Sequence, residues 1–126
     1  MHDDQLSDRV RVLLSRNLPS VDHVTVLVAL HDSSGQAHSA ESMSRIARVS
    51  QLQAAIVLDQ LKTAGFASQS ASGYTYEIQR HDPQVVDELA HMYNTRPVTL
   101  IRAIYDRPAT PVRSFADAFR IRKVEE

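Results

Sequence analysis

A helix with both of its ends written into the sequence limits what this chain can fold into. Residues 50–66 read SQLQAAIVLDQLKTAGF. Ser50 is a good N-cap, because its hydroxyl accepts from the free backbone N–H groups of the first turn. Ala54, Leu58 and Leu61 follow at helical spacing, and the small Ala54 lets a second helix cross closely. Gly65 stands where a helix stops in the left-handed conformation. Upstream, Ser39 to Val49 reads as a shorter helix with Met43 and Ile46, or Ala47, on its inner side. Two helices joined by a tight turn, the second capped by Ser50, make a helix-turn-helix over residues 39–64.

The next residues suit a β-hairpin. Phe66-Ala67 begins a strand, and Ser68 to Gly73 is small, polar and turn-forming. Tyr74-Thr75-Tyr76-Glu77-Ile78 then alternates, with Tyr74, Tyr76 and Ile78 on one face. Through Met43, Ser50, Ala54, Leu58, Leu61, Gly65-Phe66 and the Tyr74–Ile78 strand, the chain resembles the winged helix-turn-helix superfamily, the small bacterial regulators of MarR or ArsR type in particular. The resemblance spans about a third of the chain and rests on spacing of moderate specificity. It departs from the family at Arg48, where many members carry Gly in the turn. It implies a wing over 66–78 and a cytoplasmic transcription regulator that binds double-stranded DNA as a dimer. The helix Ser50–Ala64 would enter the major groove.

The remaining elements read as helices. Leu6, Val10, Leu13, Leu14 and Leu18 form one apolar stripe, so residues 4–18 make an amphipathic helix that Pro19 ends. Ser20 caps the next, and Val21 to Leu30 is apolar nearly all round, which suits a central buried helix, although its β-branched residues also allow a strand. Asp32-Ser33-Ser34-Gly35 is a loop. Asp82-Pro83 starts a helix with Val85, Val86, Leu89, Ala90 and Tyr93 inward. Pro97 starts another, with Val98, Ile101, Ile104 and Tyr105 apolar, and Val112, Phe115, Ala116 and Phe119 mark a last one beyond Pro108 and Pro111.

The expected fold class is therefore mainly α with a small β-hairpin: a winged helix-turn-helix core with extra N- and C-terminal helices. At 126 residues and 43% apolar content, a single domain spans 1–126. Its parts are an N-terminal helix at 4–18, a core at 20–94 and a C-terminal helical extension at 95–126. The stripes Leu6-Val10-Leu13 and Val112-Phe115-Phe119 exceed what so small a core covers; they are expected to meet across a symmetric dimer interface or to pack on each other.

Several function classes drop out. The chain has no cysteine, which removes disulfides and thiolate metal sites. Its start, Met1-His2-Asp3-Asp4-Gln5, is acidic and lacks the basic-then-apolar order of a signal peptide. No apolar run approaches the roughly 20 residues of a bilayer span, so the expectation is a soluble, cytoplasmic protein without a membrane partner. There is no Gly-rich phosphate loop and no serine in a strained nucleophilic turn, so neither an enzyme nor a cofactor is expected. The six histidines show no i, i+4 pair, so no metal is expected. His31-Asp32 and His81-Asp82 are taken as element ends with diverging side chains, and the histidines as surface or cap residues.

Charge and chemistry then pull two ways. Net charge is -1, and residues 31–80 hold four basic residues (Arg45, Arg48, Lys62, Arg80) against four acidic ones (Asp32, Glu41, Asp59, Glu77). Residues 96–123 carry a balance of +5, outside the helix-turn-helix. DNA affinity draws on phosphate neutralisation, which a neutral unit supplies poorly. With Ala54, Leu58 and Leu61 inward, a step of about 100° per residue turns Leu52, Ile56, Asp59 and Thr63 outward. Base edges are read by hydrogen bonds, which Leu52 and Ile56 cannot make. Two readings follow. In the first, favoured by how often the family binds DNA, Gln51, Gln53 and Lys62 contact DNA while Arg45 and Arg48 hold phosphates. In the second, a protein–protein interaction or dimerisation module has kept the fold, and Leu52 and Ile56 form the centre of its partner surface.

Overall fold

Serine hydroxyls open the first four helices of the computed structural model, which describes residues 7–106. Ser7 accepts from the Val10 amide, Ser20 from His23, Ser39 from Ser42 and Ser50 from Gln53. These caps start α1 (Asp8–Asn17), α2 (Val21–Asp32), α3 (Ala40–Ala47) and α4 (Gln51–Ala64). Each satisfies a backbone donor that the first helical turn leaves free. Asp82 does the same for α5 (Pro83–Thr95), whose first residue is proline, and α6 runs Pro97–Asp106. Between α4 and α5 lie β1 (Ala67–Ser70) and β2 (Gly73–Tyr76), paired antiparallel. Among the described residues the protein is thus mainly helical, with six helices and one two-stranded hairpin.

The Val21–Leu30 segment, ambiguous between helix and strand in the sequence, is helical and is the hub of the fold. α2 packs on α3, α4, α5 and β2. Neighbours on most sides explain why Val24, Val26, Leu27, Val28 and Leu30 are all buried. α1 and α6 lie on α5, and α4 on α3 and β1. Met43, Ala54, Leu58 and Leu61 join Leu27 in one cluster of buried apolar residues, as their spacing predicts.

Several expectations need correcting. α1 begins at Asp8 under the Ser7 cap rather than near residue 4, and Leu6 lies outside the described residues. Val10 and Leu13 are buried within this chain, so their stripe is not left over for a partner. The Val112–Phe119 segment lies outside the described residues. On α3 the inner residue after Met43 is Ala47, whereas Ile46 is 50% exposed. On α6 it is Leu100 and Ile104 that are buried, with Val98 and Tyr105 exposed, and α5 adds the buried Met92.

The hairpin turn is also tighter than the run of small polar residues suggested. Ser68, Gln69 and Ser70 are strand residues opposite Thr75, Tyr74 and Gly73, which leaves only Ala71-Ser72 as the loop. A ladder of backbone hydrogen bonds does not require apolar side chains, so composition missed it. The His38 amide and carbonyl bond to Tyr74 on the free edge of β2, at 2.8 Å each. Nothing in the side-chain pattern around His38 marks this third strand-like contact.

Candidate functional site

α4 is locked in place on its inner face and at both ends. Inside, Ala54, Val57, Leu58 and Leu61 are buried. On the α2 side, Gln53 Nε2 donates to Asp22 Oδ2 at 3.3 Å, and Gln60 Oε1 lies 2.6 Å from His23 Nε2. An amide oxygen only accepts, so His23 donates from Nε2, and its Nδ1 lies 2.7 Å from the Ser20 hydroxyl. At the far end Gly65 caps the helix at φ 96°. A Cβ there would come within 2.7 Å of the Gln79 carbonyl, so glycine is required twice over. His81 stacks on Phe66 and donates to the Ala64 carbonyl at 2.6 Å.

Before α4, the backbone turns through Arg48 at φ 61°, ψ 47°. This left-handed conformation favours glycine, yet an arginine occupies it. Its neighbour Val49 closes the turn with a bond from its amide to the Ser44 carbonyl at 3.1 Å.

The outer face of α4 carries the residues expected from the helical phase. Leu52 is 72% exposed and Ile56 43%, and Asp59 and Thr63 are exposed beside them. The polar residues expected to contact nucleic acid are scattered in their engagement. Gln53 is half-buried against Asp22. Lys62 donates to Gln69 on β1 at 3.0 Å and lies 3.4 Å from Asp59. Arg45 pairs with Glu41 one turn back on α3 at 3.1 Å. Pairs this exposed are worth little and exchange readily. Arg48 and Gln51 are exposed and have no side-chain partner among the described residues. The hairpin tip, Ala71-Ser72, bears no cation.

The histidines depart most from the sequence reading. His23 and His38 are only 7% and 5% exposed, so they are interior residues rather than surface ones. His38 Nε2 meets the Ser33 hydroxyl at 2.7 Å. Ser33 spends its own proton on the Ala29 carbonyl, so His38 is the donor. His31 does not diverge from Asp32. Its Nδ1 lies 2.9 Å from Asp32 and its Nε2 2.7 Å from Asp87 on α5, while its ring meets Tyr76 edge-on. Burial pulls the His31 pKa down, but hydrogen bonds and charge from the two carboxylates outweigh this and leave it raised. His81 and Asp82 do diverge, the latter capping α5 and meeting Arg9 at 3.2 Å.

Among the described residues no group of three or more histidine, aspartate or glutamate side chains is placed to hold a metal ion. None of the described helices is long and apolar enough to cross a membrane. An open cleft of about 550 Å³ lies between α2, α3 and α5, lined by Thr25, His38, Ser42, Ile46 and Tyr93 among others. No protein-family model, no curated protein and no solved structure matches the chain.

Proposed function

We propose that this chain is a protein-interaction module of winged helix-turn-helix type, with the outer face of α4 as its docking surface. One observation carries the reading. The face that such a helix would present to bases is apolar and exposed at Leu52 and Ile56, with Asp59 beside them. Base edges need hydrogen-bonding partners, and a carboxylate at the centre of the face repels phosphate. Buried in a protein contact, the same two side chains contribute apolar area at little cost. The engagement of Gln53 with Asp22, which removes one of the expected base contacts, points the same way.

DNA binding is the second reading, and a specific observation favours it. Gln51, the first residue of α4, and Arg48, in the turn before its Ser50 cap, stand exposed and unpartnered among the described residues, near the helix N-terminus whose backbone N–H groups and dipole attract phosphate. A salt titration against mixed duplex fragments separates the two. The docking reading expects no binding even at low salt, and no effect of Arg45→Ala or Lys62→Ala. Salt-dependent binding that both variants weaken across all sequences overturns it.

A further inference from the structure

We infer that the open cleft between α2, α3 and α5 is a binding site for a neutral polyhydroxylated molecule, a sugar in particular. It is independent of what docks on α4. The cleft is built around His38, which is only 5% exposed. Its Nε2 donates to the Ser33 hydroxyl at 2.7 Å, because Ser33 gives its own proton to the Ala29 carbonyl. In the neutral ring this leaves Nδ1 as an acceptor. The Ser42 hydroxyl meets that nitrogen at 3.4 Å, well beyond the roughly 2.8 Å of a closed bond from a hydroxyl. A second pair stands open in the same way, with Thr25 Oγ1 and the Tyr93 hydroxyl 3.4 Å apart. All four side chains line the cleft.

One oxygen on the cleft side of either pair reaches both members at about 2.8 Å. At the first pair it must accept from Ser42 and donate to His38 Nδ1. At the second it faces two hydroxyls. A hydroxyl both donates and accepts, whereas a carbonyl only accepts and an ammonium only donates. The rest of the lining excludes anions. No arginine or lysine lines the cleft among the described residues, so a carboxylate or phosphate would enter without a counter-charge and beside Asp32. Asp32 meets His31 through Oδ1 and keeps Oδ2 to accept from a hydroxyl. Gln36, exposed and without a side-chain partner among the described residues, adds an amide. Ile46, 50% exposed, and the Tyr93 ring supply apolar surface for the C–H face of a sugar. A volume of about 550 Å³ lies in the range of small-molecule sites and takes one or two sugar rings. Each bond to the ligand replaces one to water, so the affinity is millimolar.

The test titrates the isotope-labelled full chain with glucose, inositol, sucrose and maltose in turn and follows its amide resonances. At least one of the four gives saturable shifts at Thr25, His38, Ser42 and Tyr93, and none at Leu52 or Ile56. Glucuronate, a sugar ring carrying a carboxylate, gives no saturable shift. Ser42→Ala and Tyr93→Phe each remove one hydroxyl and leave the packed carbons in place, so each weakens binding about five-fold. Thr63→Ala, on the outer face of α4, leaves it unchanged. Absence of saturable shifts with all four compounds means that water alone fills the cleft, and overturns the inference. Binding that both hydroxyl variants retain at full strength overturns it too, as does glucuronate binding as tightly as the neutral compounds.

Discussion

At Leu58 the side chain has no solvent exposure and sits in the same cluster as Leu27, Met43 and Leu61. Truncation there removes the transfer energy of the lost carbons and leaves a cavity that a helix pinned at both ends cannot close. Leu58→Ala should cost about 2–5 kcal/mol, read as a lowered denaturation midpoint with an unchanged slope. A cost below about 1 kcal/mol would mean that α4 is not anchored on this face. Arg48 poses a conformational question instead. A β-branched residue tolerates its φ of 61° poorly. Arg48→Val should therefore lose about 1–2 kcal/mol, and Arg48→Gly should stay within about 1 kcal/mol, since relief of strain and the added freedom of the unfolded chain oppose each other. Equal stabilities for both variants would show that the turn relaxes without a left-handed residue.

Among the elements, the hairpin depends most on its neighbours. A lone two-stranded hairpin is marginal in water, and β1 buries only Ala67 among its four residues. Two features tie it down. Tyr74, Tyr76 and Ile78 pack against the core, and His38 exchanges both backbone hydrogen bonds with Tyr74. Gly73 makes the second possible, because it sits at φ 127° and a Cβ there would overlap the His38 carbonyl. Gly73→Ala should accordingly detach the His38 segment from β2 at a cost of about 1–3 kcal/mol. Amide exchange at His38 and Tyr74 should speed up while exchange within α4 stays protected. If those two amides keep their protection, the close approach is not what holds the hairpin.

Over the whole molecule, His31 joins three elements: α2 through Asp32, α5 through Asp87 and β2 through Tyr76. Both ring nitrogens face carboxylates, so only the imidazolium donates to both; the neutral ring keeps one bond. Burial, followed by the Asp87 charge, also pushes the Tyr76 hydroxyl up to about 12, so this ring stays neutral through the range in question. Because the folded pKa of His31 is raised, its contribution is fully present below the ordinary histidine value near 6.5 and is lost as pH rises through the raised one. The stability gap between the parent and His31→Gln should therefore be widest in mild acid and shrink toward alkaline pH. A gap that is constant or grows with pH would show that charge on His31 does not hold the three elements together.

The caps, the helical phases and the glycine stop were legible in the sequence because each depends on neighbours within a few residues. Ser50 and Asp82 bond to amides two or three positions on, Gly65 supplies a local backbone angle, and the phase of α4 put Leu58 inside and Leu52 outside. What escaped were contacts between residues distant in sequence. Gln53 read as a side chain free to contact DNA until α2 brought Asp22 against it. His38 read as a surface residue until the end of α2 and the edge of β2 closed around it. The strand-like residues of α2 became a helix because α3, α4, α5 and β2 surround it, and packing on so many sides outweighs a propensity of tenths of a kcal/mol per residue. Local chemistry determined where the elements begin, end and turn their faces; only the packing of the elements decided which of the outward polar groups remained free to act.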